Sequence, residues 1–95
     1  MPHFVLLCVD KPQSLDLRMA TRAAHLAYMA DHAQDVRLGG PLLDDKGDMA
    51  GSLIVLEAPD IAAAKALNAN DPYTLAGLFA RVDIHPVRLT MGVPS

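Results

Sequence analysis

Residues 4–9 read FVLLCV and residues 52–57 read SLIVLE, and these two stretches decide the fold. Each is a short apolar run closed by polar residues, Asp10-Lys11-Pro12 after the first and Glu57 ending the second. That length and composition mark a β-strand rather than a helix. In an extended chain, Phe4, Leu6 and Cys8 share one face while Val5, Leu7 and Val9 share the other. Both faces are therefore apolar. An antiparallel sheet with helices on one side alternates apolar and polar residues, so here the second face needs a cover. A chain of 95 residues has no spare element to supply one, and a second copy of the same sheet is the economical answer. A homodimer is expected.

Working outward, Ser14 has the character of an N-cap, and a helix is predicted from Leu15 to about Asp35, a span free of Gly and Pro. Residues 36–43 form the second strand, bent or bulged by Gly39-Gly40-Pro41. Residues 44–48, DDKGD, make a turn before a third strand over residues 51–57. Asp60 caps an alanine-rich helix from Ile61 to about Asn70. Asp71-Pro72-Tyr73 starts a further helical turn, since proline suits the first helical position, and Gly77 closes it. Residues 82–89 give the last strand, with Pro86 pointing to an edge or a bulge. The order is β-α-β-β-α-(α)-β, an α+β, ferredoxin-like pattern with an antiparallel sheet. One domain over residues 1–95 is expected.

Composition narrows the function classes. The formal charge is −3, and four aromatic residues (two Tyr, two Phe, no Trp) are scattered along the chain. There is no basic patch and no stacking platform, so nucleic acid is not an expected partner. The longest apolar runs fall far short of the roughly 20 residues needed to cross a bilayer, so no membrane association is expected. No basic residue precedes the short apolar stretch near the N-terminus, unlike a signal peptide. With the lone Cys8, which has no disulfide partner within the chain, this gives a cytoplasmic expectation. Cys8 itself reads as a buried small hydrophobe rather than a nucleophile.

On a helical wheel, Met19, Ala23, Leu26, Ala30 and Ala33 form the expected core stripe of the first helix. Arg18, Arg22, His25, Met29 and His32 form a second stripe on its flank, with Asp31 and Asp35 on the solvent side. Either that flank is simply solvated, with its arginines paired to carboxylates, or it is an anion-binding rim. In the second case His25 is an acid–base group working near neutral pH. Arg22, three residues earlier and so adjacent on the surface, would hold a carboxylate, with Arg18 beside it. Asp71 reads first as a helix cap, whose carboxylate could also orient an imidazole. Ser52 lacks a nucleophile context and is a candidate hydrogen-bonding group. His25 and His32 are about 10 Å apart along the helix axis, and no metal-ligand spacing occurs, so no metal is expected. His3 and His85 read as structural. No P-loop or GxGxxG is present, so no nucleotide is expected.

The strings TRAAHLAYM, RLGGPL, GSLIVLEAPDIAAAKALNANDPYTLAGL and VDIHPV together resemble the YCII-related domain. The resemblance covers nearly the whole chain and rests on combined order and spacing rather than on one motif. It implies a dimeric α/β-barrel-type fold. It also implies a site in which His25 and Asp71 are catalytic, with Arg22 at the family's arginine and Tyr73 in the Asp-Pro-Tyr turn. Some members of that family act in elimination chemistry on chlorinated or oxidised aromatic products, while others are accessory domains. Two functions follow as expectations. One is a cofactor-free lyase or isomerase, dehydrochlorinase-like, acting on a small anionic organic molecule. The other is a non-catalytic module that binds a small ligand or a protein in the same cleft.

Overall fold

A computed structural model describes residues 1–92. The elements are β1 (His3–Asp10), α1 (Leu15–Asp31), β2 (Val36–Leu43), β3 (Met49–Glu57), α2 (Ile61–Ala69), α3 (Pro72–Leu75) and β4 (Phe79–Val87). The four strands form one antiparallel sheet in the order β2-β3-β1-β4. This is the ferredoxin-like arrangement, with the two most apolar strands at its centre. Pro86 does lie on an edge strand. In β2 the register shifts fall between Val36 and Leu38 and between Leu42 and Leu43, so they flank the Gly-Gly-Pro segment instead of falling within it.

Register explains which residues share the helix-covered face. Phe4, Leu6 and Cys8 pair with Leu56, Ile54 and Ser52 on one side, and with Pro86, Ile84 and Val82 on the other. Phe4, Leu6, Cys8, Ile54 and Leu56 are buried there against Ala58 and Ala64. The opposite face carries Val5, Leu7, Val9, Leu53, Val55, Leu38 and Leu42, with no helix over it among the described residues. Of these side chains Val55 is buried, whereas Val9 and Leu38 are exposed. Gly51 marks a close approach between strands. A Cβ there would sit 2.4 Å from the Cys8 carbonyl oxygen, so any side chain would force the two strands apart.

Three local expectations are corrected. Ser14 precedes α1, but its hydroxyl bonds to the Pro12 carbonyl and makes no cap hydrogen bond. α1 stops at Asp31, because residues 32–35 tighten into turns that carry the chain into β2. The third correction concerns the face of α1. Its predicted core stripe is exposed, Met19 by 52% and Leu26 by 47%. The inward seam instead runs Arg18, Thr21, His25, Tyr28 and His32, at the three-and-four spacing of one helix face. An alanine-rich stripe has little apolar area to bury, whereas the seam residues find buried polar and aromatic partners on other elements.

Candidate active site

The site is built on that polar seam. Asp71 caps α3, its Oδ1 accepting the Tyr73 backbone N–H at 2.9 Å. The same oxygen lies 2.9 Å from His25 Nδ1. A carboxylate can only accept here, so Nδ1 carries the hydrogen, a tautomer assigned from this bond, and the Nε2 edge is left for a ligand. Asp71 is 1% exposed, and the His25 side chain is 12% exposed. The imidazole also lies on the Tyr73 ring, with centroids 4.1 Å apart and planes 17° from parallel. Tyr28, one turn along α1, ties the helix to α2 through a 2.7 Å bond from its hydroxyl to the Leu67 carbonyl.

Arg18 is the buried cation of the site, only 2% exposed. Its Nε and Nη2 donate to Asp10 at 2.7 and 3.0 Å, a bidentate pair. Nη2 also donates to Ser52 Oγ at 2.8 Å, which leaves the serine hydroxyl hydrogen free to point elsewhere. Arg18 Cζ lies 4.5 Å from the Tyr73 centroid, within cation–π range. Burial works against the guanidinium charge, but the hydrogen bond and charge of Asp10 outweigh it and raise the pKa. Burial also raises the Tyr73 phenol, although Arg18 and Arg22 pull the other way.

A cavity of about 210 Å³ opens between α1 and the β2–β3 half of the sheet. Arg18, Arg22, His25, Ser52 and Tyr73 line it on the polar side. Met29, Val36, Pro41, Met49 and Ile54 form much of the apolar wall. Arg22 is exposed at this cavity and has no ion-pair partner among the described residues. The structure thus brings together all six predicted residues: Arg18, Arg22, His25, Ser52, Asp71 and Tyr73. Asp71 stands behind His25 and is not itself a wall residue.

Two features escaped the sequence reading. In the sequence Asp10 reads only as the polar end of a strand, yet its side chain is 6% exposed and neutralises Arg18. Its parity with Phe4, Leu6 and Cys8 was the available signal. The apolar wall from β2 and β3 had no motif to announce it. Cys8 lies within the core, 1% exposed, with Sγ 3.6 Å from Asn68 Oδ1. Burial pushes its thiol up to about 12, so it is inert at neutral pH.

A ferredoxin-like sheet with a His–Asp pair at a small cavity defines the class. The chain belongs to the YCII-related domain family, whose model matches residues 2–88. Among its relatives, Protein YciI of Escherichia coli is 32% identical over 93 residues, covering 90% of this chain and 95% of that one. An uncharacterized protein of Haemophilus influenzae is 31% identical over 94 residues, covering 90% and 96%. A solved structure similar to this chain is 5-chloro-2-hydroxyhydroquinone dehydrochlorinase (TftG) from Burkholderia phenoliruptrix, in complex with 2,5-dihydroxybenzoquinone. It has a TM-score of 0.87 and 33% identity, covering 97% of this chain and 99% of that one. No helix among the described residues is long and apolar enough to cross a membrane.

Proposed function

We propose that this protein is an acid–base enzyme, a lyase or isomerase, acting on a small anionic organic molecule in the cavity beside His25. One observation carries the reading: His25 Nδ1 is held 2.9 Å from the buried Asp71 carboxylate, which orients Nε2 as a base and supports the imidazolium that forms. His25 removes a proton from substrate carbon or oxygen. The electron pair of that bond becomes a new π bond, and in an elimination the leaving group departs with its own pair. Arg22, exposed and without an ion-pair partner among the described residues, holds the anionic end and the charge that develops. Ser52 donates its hydroxyl hydrogen. Arg18 offers its N–H edge with its net charge already offset by Asp10, and Tyr73 supports the imidazole.

The similarity to TftG favours loss of HCl from a chlorinated hydroxyhydroquinone as the first reaction to try. The test follows chloride release from 5-chloro-2-hydroxyhydroquinone, with binding of 2,5-dihydroxybenzoquinone measured by calorimetry. Wild-type protein should release chloride, and His25→Ala should bind the quinone yet release none. Equal turnover by wild type and His25→Ala removes the acid–base reading. Binding without product from the wild type favours the non-catalytic module.

The uncovered sheet face supports a homodimer as part of the same proposal. Val5, Leu7, Leu53, Leu38 and Leu42 form an apolar surface across three strands, larger than isolated surface residues would make. A single species at twice the chain mass in light scattering is expected, and a monomer at all concentrations counts against it.

A further inference from the structure

Asp10 lines no part of the cavity, yet it is tied to the imidazole through two intermediaries. Its carboxylate and the Ser52 hydroxyl fix the Arg18 guanidinium by three hydrogen bonds from two neighbouring strands. That guanidinium faces the Tyr73 ring at 4.5 Å, and the ring lies under His25 at 4.1 Å. A single hydrogen bond at Nδ1 sets the direction of the imidazole but leaves its tilt free. Stacking on a fixed ring removes that freedom. We infer that Asp10 is a positioning residue for His25: by locking Arg18 against Tyr73, it sets the plane on which the imidazole rests.

The residue types agree with this role. An Arg–Asp pair taken out of water gains little stability over an apolar pair, so stability alone does not account for it. Arginine is planar and forked, and can grip a carboxylate edge-on while presenting its face to an aromatic ring. Lysine can do neither. Asp71 and Asp10 therefore divide the task, one acting through a hydrogen bond and the other through a stack. The inference rests on the reading of His25 as the working group, but its test observes the imidazole directly. Chloride release can fail while this contact chain stands, and the reverse also holds.

The experiment is NMR of the full chain with labelled histidine. The His25 lines are assigned by their loss in His25→Gln, and the ring protons of an unstructured histidine peptide serve as reference. Stacking on Tyr73 places the His25 ring protons under a ring current. Asp10→Asn should move those protons toward the unstructured-peptide positions while leaving the 15N tautomer pattern of His25 unchanged. Asp71→Asn should alter the tautomer pattern instead. Arg18→Lys should reproduce the Asp10→Asn displacement, and the double variant should add nothing to it, because both act through one contact. A folded Asp10→Asn protein with His25 protons at wild-type positions overturns the inference. Should Asp10→Asn not fold, Ser52→Ala loosens the same guanidinium more gently. A smaller displacement in the same direction supports the role, and none overturns it.

Discussion

The two helices that cover the sheet treat it in opposite ways. α2 lays Ala64 and Leu67 on the β1–β4 half, where Leu6 and Ala64 are fully buried and the layer is dry. α1 turns a seam of Arg18, Thr21, His25, Tyr28 and His32 toward the β2–β3 half and leaves a cavity there. Close packing on one side holds the sheet while the other side supports groups that a packed core would exclude. The contrast shows that the inward face of a helix is chosen by the partners waiting for it as well as by apolarity. Arg18 and His25 point inward because Asp10, Ser52, Asp71 and Tyr73 are there to meet them.

The comparison can be broken first at its strongest contacts. Arg18→Ala leaves Asp10 charged and unpaired in the interior, which should cost about 3–5 kcal/mol in urea unfolding. Arg18→Met with Asp10→Leu should recover most of that stability. Leu6→Ala on the dry half should cost about 2–5 kcal/mol through the cavity it leaves, with no polar partner to replace. If the double variant recovers nothing, the pair is a net contributor to stability and the contrast between the halves weakens.

A pH dependence sharpens the dry half. The Cys8 thiol is raised from 9.0 to about 12 in the folded chain, so above pH 9 the unfolded chain binds fewer protons than the folded one. The stability from keeping this thiol protonated is fully present below pH 9 and declines as pH rises through the folded value. Tyr28 and Tyr73, also raised by burial, act with the same sign. Chemical denaturation of wild type and Cys8→Ala between pH 8 and the alkaline limit should give a shallower decline in the variant. Smaller again is Asp60→Ala, which removes the cap on Ala63 N and should cost about 1 kcal/mol. At the low end, Arg22→Gln should change stability by under about 0.5 kcal/mol, as for exposed positions, while weakening binding of 2,5-dihydroxybenzoquinone. An equal affinity would take Arg22 out of the site.

Much of this was legible in the sequence for physical reasons. Two-faced apolar strands, a capping Asp before Pro72 and the Asp60 cap are local signals, and each appears where the chain chemistry puts it. The family pattern named His25 and Asp71 together, residues 46 positions apart whose contact no local rule supplies. The inward face of α1 was misjudged because a wheel counts apolar residues without knowing which carboxylates lie opposite. Asp10 was overlooked for the same reason. Its importance comes from Arg18, eight residues later, turning back onto the strand end.

Asp71 Oδ1 serves two donors at once, the Tyr73 amide and the His25 imidazole. The turn that begins α3 and the site therefore draw on the same oxygen. Sequence drift at this position is tested twice, once by the architecture and once by the chemistry. A change that satisfies the amide alone, such as serine, would leave a well-folded chain with its histidine unguided. On the proposed acid–base reading, relatives without the activity should be recognisable by a neutral cap at this one position, on an otherwise unaltered frame.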